Sequence, residues 1–514
     1  MTYESLLYVK ERKPEELNNK EPDFFIDLNL DQIVDEISEK FGESNLRILF
    51  LNPLKSVEDV RYRQEIFSDL EQKETLDAMR AFYEEIKTVI SKLSNVADLY
   101  DIQREGRILS SAHDYIISLK KMQEFLRKGC VKSTGLKGFA NYLGEYLSSE
   151  QFRIFEEDLM NAEASISSIS YSLIIEGDRV TVKKGEPIIQ DFSTEIQNLF
   201  SVLKEKQSRN EKQIFRVNYG FGHVQAEILK LLEKIYPDEI KKLRDFSSQH
   251  GEFLDKVVLR TFYDIQFYLS YLDYIEDPKK LGLPFCLPKL TTDENILDLD
   301  SFYDIALASK LSKENKTVVT NDIHLKQNER IVIITGPNSG GKTTFSRSIG
   351  QVLYLASLGL PVPARSATLS LPDKIFTHFE KTENVESLRG KLEDDLLRLK
   401  EIIDNCTEKS LLIINEMLSS TTVKDALSIG KKILRILQSK GCLCFFVTFL
   451  GELSSFNNVV SIVGQINEEN PEMRTYKFDR GAWNGLAYAT ALTHKHRVSY
   501  NDIIRRIGNG NEQR

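Results

Sequence analysis

The sequence has no apolar run that reaches the length of about 18 residues needed to cross a membrane as a helix. Charged residues make up 28% of the chain. The opening residues, MTYESLLYVKERKPEE, alternate in charge and lack the apolar core of a secretory signal. These absences predict a cytoplasmic protein without a membrane span.

Cysteine is scarce and irregularly placed. The five cysteines are odd in number and show no metal-ligand spacing. Cys442 and Cys444 lie on one face of an apolar run, which predicts that both are core residues. A reducing setting follows.

The chain also lacks an excess of positive charge. Its net charge of −9 argues against a protein that coats nucleic acid over its whole surface, although a local basic patch remains compatible with it. Neither an internal repeat nor a low-complexity tract occurs. A length of 514 residues allows about three or four domains.

One glycine-containing motif has a clear chemical meaning. The β-branched run Ile331–Thr335 predicts a strand buried on both faces, and it leads directly into a G-x-x-x-x-G-K-T loop. The loop consists of Gly336, Pro337, Asn338, Ser339, Gly340, Gly341, Lys342 and Thr343. Its N–H groups and the helix beginning near Lys342 suit phosphate, and the Thr343 hydroxyl suits Mg²⁺. A chance glycine-rich turn is the alternative, but the order of strand, loop and helix favours an ATP site.

A second apolar run, 411–414, ends in Asn415 and Glu416. In P-loop proteins an acidic residue just beyond a buried strand serves the metal and water chemistry. We therefore predict that Glu416 polarises the attacking water, the alternative being a surface carboxylate. Asn415 stands where an Asp usually helps to hold Mg²⁺, and its uncharged oxygen should lower the metal affinity.

The runs 442–448 and 376–377 predict two further strands of the same sheet. Strands that alternate with helices predict a mostly parallel sheet covered on both faces, hence an α/β P-loop ATPase domain. Before it, apolar residues recur at helical spacing from Leu30 to about Tyr146 and again from Val224 to Leu272. Ser56 is predicted to cap a helix that carries Arg61 and Arg63.

Between the two helical stretches, residues 170–183 alternate as in a hairpin, YSLII–EGD–RVTVK. Basic residues gather in and after it, and they include Lys183, Lys184, Lys204, Lys206, Arg209 and Lys212. Because Glu205 and Glu211 dilute this patch, a solvated charged face is one interpretation. The other is a small module that contacts nucleic-acid phosphates.

Three segments together carry a family resemblance. TGPNSGGKTT, the segment SLLIINEMLSSTTVKDA and FFVTFLGEL, in this order, resemble the ATPase domain of the MutS family of DNA mismatch-repair proteins. NPLKSVEDVRYRQ, 52–64, is similar to the start of that family's helical core, where a P-L step precedes an R-Q pair. The resemblance therefore extends over most of the chain.

The resemblance implies the following organisation. We expect an N-terminal arm (1–30), an all-α lever and core domain in two parts (31–165 and 223–288), an inserted clamp-like module with a β-hairpin (166–222), and a MutS-like ATPase domain with a helical C-terminal tail (289–514). The family's mismatch-reading and connector domains are expected to be missing. Three F-x-E triplets, at Phe41, Phe82 and Phe155, lie in helical sequence and are interpreted as chance matches to the mismatch-reading motif.

Residue by residue, the resemblance assigns Asn338 and 340–344, including Thr344, to the phosphate loop and Glu416 to the catalytic carboxylate. Thr421 and Asp425 match a loop that reaches the partner's nucleotide in a dimer. Three positions depart from the family pattern, namely Asn415 for Asp, Gly390 for Ser, and Phe449 for His. These departures suggest a divergent branch that resembles the shorter MutS-like ATPases, in which the second motif reads NE. They favour slow hydrolysis.

The function expected from the resemblance is an ATPase that uses ATP and Mg²⁺, forms a homodimer through its ATPase domains, and binds DNA of unusual or branched structure in repair or recombination. The alternative is an ATP-gated scaffold that assembles protein partners with little or no hydrolysis. A transporter ATPase is disfavoured because an LSGGQ-type helix start is missing, and a GTPase because no N-K-x-D is present.

Overall fold

A computed structural model describes residues 3–9, 19–42, 46–94, 99–176, 179–185, 222–292, 296–380, 391–418, 421–467, 474–482, 500 and 503–504. The chain forms two compact units. The first comprises Met1–Tyr3, Lys73–Val131 and Lys137–Phe262, and the second comprises Glu4–Gln72, Lys132–Leu136 and Tyr263–Arg514. Among the helices in these described ranges, none combines the length and apolarity of a membrane span.

The helices are α1 (Phe24–Asp27), α2 (Leu30–Phe41), α3 (Leu46–Phe50), α4 (Val57–Leu70), α5 (Lys73–Ser94), α6 (Asp101–Arg127), α7 (Thr134–Leu147), α8 (Glu150–Ser167), α9 (Gly222–Ile235), α10 (Pro237–His250), α11 (Lys256–Lys280), α12 (Ile305–Ser312), α13 (Lys342–Ser357), α14 (Lys391–Asn405) and α15 (Val423–Lys440). The strands are β1 (Tyr171–Glu176), β2 (Arg179–Lys184), β3 (Lys289–Leu290), β4 (Leu297–Phe302), β5 (Asn321–Leu325), β6 (Ile331–Thr335), β7 (Ser366–Leu369), β8 (Ile375–Phe379), β9 (Leu411–Asn415), β10 (Leu443–Val447), β11 (Val460–Ile466) and β12 (Arg474–Arg480).

The first unit is built from packed helices and one hairpin. Helix α5 packs on α6, and α8 packs on α10, because each presents apolar side chains at helical spacing. Two phenylalanines of F-x-E triplets, Phe82 and Phe155, are buried in this packing, in agreement with their interpretation as chance matches. The predicted hairpin is present, with Tyr171 paired to Lys184 and Glu176 to Arg179.

The second unit contains a six-stranded sheet in the order β12-β11-β6-β10-β9-β8. All neighbouring strands are parallel except β12, which runs antiparallel to β11. Every residue of β6 and β10 is buried, as expected for central strands covered on both faces. The predicted parallel α/β sheet is therefore confirmed, including the strands expected near 376–377, 411–414 and 442–448.

One face of this sheet packs on α14 and α15. Cys406, Cys442 and Cys444 lie in the resulting apolar core together with Leu412 and Phe446. The prediction that Cys442 and Cys444 are core residues is confirmed, and both thiols are fully buried.

The other face holds the phosphate-loop helix α13 against an N-terminal segment. Arg347 donates to the Asp27 carbonyl at 3.0 Å, and Gln351 donates to the Leu28 carbonyl at 2.9 Å. The rings of Phe25 and Tyr354 lie 5.3 Å apart edge to face. The described end of the expected N-terminal arm is therefore part of the packing around α13.

Helix α4 holds the other end of α13. Ser56 accepts hydrogen bonds from the Glu58 and Asp59 nitrogens, so the predicted cap is present. The fully buried Arg63 donates to the Leu358 carbonyl at 2.8 Å, directly after α13, and its guanidinium carbon lies 4.7 Å from the centre of the Phe267 ring. A cation at this end of α13 is stabilised by the helix dipole.

A second, four-stranded sheet in the order β3-β7-β4-β5 has no counterpart among the strands predicted from the sequence. Its strands are short and half-exposed, with residues of β5 alternating between buried and exposed. Helix α11 continues through Pro278, which occupies its last turn, and ends at Lys280, shortly before the predicted start of the ATPase domain at 289. The domain boundaries remain a prediction.

Candidate functional site

The backbone of the phosphate loop has the conformation that its glycines predict. Gly336 and Gly341 adopt φ of 148° and 89°, and Ser339 also has a positive φ, 58°. A Cβ on Gly336 would lie 3.1 Å from the Gly464 nitrogen, and one on Gly340 would lie 2.8 Å from the Pro337 carbonyl oxygen. These positions require glycine, because the loop both turns sharply and approaches β11 closely.

The side chain of Lys342 folds back onto the start of the phosphate loop. Its ammonium donates to the carbonyl oxygens of Gly336 at 3.2 Å and Pro337 at 3.3 Å, and it lies 3.6 Å from Glu416 Oε1. Burial lowers the pKa of Lys342, and the neighbouring Glu416 carboxylate opposes this shift. The lysine is thus a buried cation that the loop holds by its own main chain.

The two residues predicted to serve Mg²⁺ are in contact with each other. Thr343 begins α13, Asn415 ends β9, and the Thr343 hydroxyl donates to Asn415 Oδ1 at 3.1 Å. Because β9 and β6 flank β10 in parallel, the end of β9 reaches the start of α13. Two uncharged oxygens therefore converge beside the loop.

Glu416 follows immediately in a left-handed conformation, with φ of 53°. Its nitrogen donates to the Val447 carbonyl at 3.0 Å, and its side chain is 38% exposed. A non-glycine residue in this conformation is strained, and such strain clusters at functional sites. The bend turns the carboxylate from the strand toward Lys342.

The residues matched to the partner-facing loop lie at the start of α15. Thr421 is half-buried and Asp425 is exposed. Asp425 exchanges hydrogen bonds with the helix cap Thr422, which accepts from the Asp425 nitrogen at 3.2 Å and donates to its carboxylate at 2.8 Å. This N-cap pairing accounts for Asp425 structurally without a partner chain. Phe449 is 44% exposed, and Gly390 lies outside the described residues.

A cavity of about 540 Å³ opens from the loop toward the second sheet. One wall consists of loop and α13 residues with Glu416. The opposite wall is largely apolar, with Leu307, Val319 and Tyr476 each more than a third exposed. The site therefore continues from a phosphate-binding end into an apolar slot of nucleotide size.

Strand β12 closes this slot, and it was not among the strands predicted from the sequence. A Cβ on Gly341 would lie 3.2 Å from Tyr476 Cδ1, and the rings of Phe345 and Phe478 are 4.6 Å apart. Asn321 fixes the strand by donating to the Tyr476 carbonyl at 3.1 Å and accepting from the Phe478 nitrogen at 2.9 Å. Alternation in RTYKFDR could have indicated a strand, but not its contact with the loop.

The basic patch is only partly described. Lys183 and Lys184 are exposed on β2, and the Lys184 ammonium lies 5.3 Å from the centre of the Tyr236 ring. The four remaining predicted contacts, Lys204, Lys206, Arg209 and Lys212, lie outside the described residues. The structure thus brings together the phosphate loop, Asn415 and Glu416 in the second unit, while Lys183 and Lys184 belong to the first.

Comparisons with known proteins find relatives of the part of the chain that carries this site. The sequence profile of MutS domain V matches residues 332–483. The DNA mismatch repair protein MutS of Aquifex pyrophilus is 24% identical over 495 residues, which are 87% of this chain and 54% of that protein. MutS of Rickettsia bellii is 33% identical over 168 residues, 32% of this chain and 19% of that protein. The chain thus spans about half the length of the first of these relatives, and far less of the second.

Proposed function

Because the chain belongs to the MutS family, we propose that it binds ATP with Mg²⁺ at the phosphate loop, hydrolyses it slowly, and uses the bound nucleotide to control DNA binding. The observation that supports ATP binding best is the convergence of Lys342, Glu416 and the Thr343–Asn415 pair at one end of a nucleotide-sized cavity. The loop N–H groups and the Lys342 ammonium suit the β- and γ-phosphates.

The apolar slot is proposed to hold the adenine. Tyr476 supplies an exposed ring next to Gly341, and Leu307 and Val319 line the same cavity. Replacing Tyr476 with Ala should weaken ATP binding but leave binding of inorganic tripolyphosphate unchanged, since only ATP has a base. Equal loss for both ligands would contradict this placement of the base.

The donor set beside the loop fits Mg²⁺ in kind, because hydroxyl and amide oxygens are hard ligands. The metal, when bound, would neutralise phosphate charge. Thr343 and Asn415 would hold it, but Asn415 contributes no charge. Asn415→Asp should strengthen the dependence of ATP binding on Mg²⁺, measured as the ratio of ATP affinities with and without Mg²⁺. An unchanged ratio would contradict the metal assignment.

Glu416 is proposed to orient the attacking water. Its strained backbone and its half-exposed carboxylate at the cavity wall support this role. Glu416→Gln should preserve ATP binding and abolish turnover, and should accumulate the ATP-bound form. Unchanged turnover would show that another group positions the water.

We further propose a homodimer in which the loop at Thr421 and Asp425 reaches the partner's nucleotide, with the helices of the first part acting as levers. The patch that includes Lys183 and Lys184 would contact phosphates of DNA with unusual or branched structure, held by shape rather than by base edges. Reversing the charge of both lysines should reduce DNA binding and leave ATP binding intact.

A second candidate function is an ATP-gated scaffold that assembles protein partners. It is favoured by the neutral Asn415 beside Thr343 and by the exposed Phe449 at the position of the family's His. Both features would weaken catalysis while leaving the glycines and Lys342 of the phosphate loop in place.

Steady-state ATP hydrolysis, measured alone and with duplex, branched and single-stranded DNA, distinguishes the two functions. Stimulation by one DNA form supports the DNA-controlled ATPase. Tight binding that is lost in Lys342→Ala, without turnover on any DNA, supports the scaffold. Absence of ATP binding by the unaltered chain would refute both.

A further inference from the structure

The outward face of α15 carries a concentration of positive charge that belongs to none of the sites described so far. Four exposed cations lie on this helix, namely Lys424, Lys431, Lys432 and Arg435, and together they are called the α15 basic face. Positions 424, 428, 431 and 435 recur at helical spacing, so they form a row along one side of the helix. The exposed hydroxyl of Ser428 stands within this row.

The other side of α15 fixes the basic face to the sheet. Buried residues of α15 pack into the apolar core that the helix shares with α14 and the sheet, namely Ala426, Ile433, Leu434 and Leu437. Because this side is packed, the α15 basic face points to solvent. Lys424 and Arg435 are 11 positions apart, so the face is about 16 Å long at about 1.5 Å per residue.

The charge of this face is not neutralised within the described part of the chain. None of its four cations forms an ion pair there, and the Arg435 guanidinium carbon lies 6.0 Å from the centre of the Phe456 ring. Asp425, the one acidic residue of α15, is engaged at the N-cap of the helix. Lys431 and Lys432 lie four and three positions before Arg435, a spacing at which like charges repel each other. A bound polyanion would relieve this repulsion.

Charge of a single sign is not what the composition predicts for a helix face that meets only water. The chain has a net charge of −9, with 77 acidic and 68 basic residues. Helix α14 packs into the same core, and the exposed charges on it include Glu393, Lys400, Glu401 and Asp404. This mixture of signs is typical of a solvated helix face, and α15 departs from it.

The residue types of the α15 basic face favour nucleic-acid phosphates over a protein partner. Lysine is depleted at protein interfaces, which have apolar and aromatic centres. Helix α15 contains no aromatic residue, and its exposed apolar residues, Val423 and Ile436, flank the row one position away from it. Lysine, arginine and serine, in contrast, commonly donate to the phosphate oxygens of DNA. A length of about 16 Å corresponds to about five steps of one DNA strand, at about 3.4 Å each.

We propose that the α15 basic face binds the phosphate backbone of DNA, as a second contact in addition to Lys183 and Lys184 of the hairpin. This inference rests on the proposed DNA binding, and it places a contact in the same unit as the nucleotide site. Thr422, which caps α15, follows Glu416 by six residues. DNA would thus bind the helix that comes directly after the proposed catalytic carboxylate.

The test is fluorescence anisotropy of a labelled DNA duplex, titrated with the full chain at about 50 and about 200 mM salt. The variant combines Lys431→Gln with Arg435→Gln, and glutamine at these exposed positions keeps the helix propensity. Each phosphate contact contributes about 0.9 to the slope of log affinity against log salt. The affinity lost between the two salt concentrations should therefore be about tenfold smaller for the variant than for the unaltered chain.

The matched control combines Lys400→Gln with Lys409→Gln. Both lysines are exposed in the same unit but lie outside α15, on α14 and just before β9. This control removes the same net charge and should keep the full salt dependence. ATP binding should be unchanged in both double variants.

An unchanged salt dependence in the α15 variant would overturn the inference and leave an acidic protein as the partner that fits this face. An equal change in both double variants would also overturn it, because net charge alone would then explain the result. If the unaltered chain binds no DNA, the proposed DNA binding falls as well. Melting temperatures show whether the variants are folded, and Lys424→Gln with Lys432→Gln tests the same face if the first pair is not.

Discussion

Replacing Lys342 with Met separates nucleotide binding from stability. The ammonium would make charge-assisted contacts with phosphate, each worth about 1.5–3 kcal/mol. In the protein described here it already donates to the carbonyls of Gly336 and Pro337, and these bonds are given up on binding. Allowing for that exchange, the loss in binding free energy should be about 2–4 kcal/mol, or about 30- to 1,000-fold in Kd.

The same substitution should not destabilise the nucleotide-free protein. Burial lowers the pKa of Lys342, so the charged form is less favourable in the folded than in the unfolded chain. A lysine with a lowered folded pKa gives a stability that rises with pH from that value toward 10.5. Lys342→Met should lack this rise and should melt at or above the temperature of the unaltered chain at neutral pH.

Calorimetry with ATP and thermal melting with and without nucleotide measure both effects. We expect ATP to raise the melting temperature of the unaltered chain but not of Lys342→Met. Normal ATP affinity in the variant would refute the assignment of the loop. A marked fall in the melting temperature without nucleotide would refute the view that this buried charge is unfavourable to folding.

Two further predictions concern stability. Gly359→Ala should cost about 2–4 kcal/mol of unfolding free energy, because its φ is 80° and the new Cβ would lie 2.8 Å from Arg63 Cβ. The control is Gly282→Ala, which has a similar φ of 82° but no neighbouring atom within 4 Å of the new Cβ, and it should cost only about 1 kcal/mol. If urea unfolding showed the same loss for both variants, the Arg63 side chain would be moving aside without an energetic cost. The Arg480 guanidinium holds the pKa of Glu329 at about 2, below its usual 4.5. Glu329→Gln should therefore be less stable than the unaltered chain above pH 4.5, and the two should converge as the pH falls to about 2 and below; a constant difference would contradict the pair.

The sequence was most informative where local chemistry decides structure. The β-branched run 331–335 and the glycine spacing after it sufficed to predict β6, the loop and α13, because strand burial and loop conformation there depend on adjacent residues. The Thr343–Asn415 contact was foreseeable as well, since parallel strands end at one edge of a sheet.

The apolar half of the cavity could not be predicted in this way. Tyr476 is held next to Gly341 by Asn321, more than 150 residues earlier, which binds the Tyr476 carbonyl and the Phe478 nitrogen. The second sheet was not predicted because β3 and β7 span only two and four residues, although the alternation at 297–300 could have indicated β4. The capping role of Asp425 was visible in the Thr422-x-x-Asp425 spacing, but the family resemblance drew attention to a different role.

The packing of 24–28 on α13 bears on how this chain can be divided. Asp27 accepts from Thr377 of the edge strand β8 at 2.6 Å, while Phe25 and Leu28 are fully buried. A fragment that starts at 289 would therefore expose the apolar flank of the nucleotide-binding helix to water. We expect such a fragment to aggregate, whereas adding the separate peptide 19–42 should restore its solubility. The nucleotide-binding region is thus assembled from both ends of the chain and cannot be excised as one continuous piece.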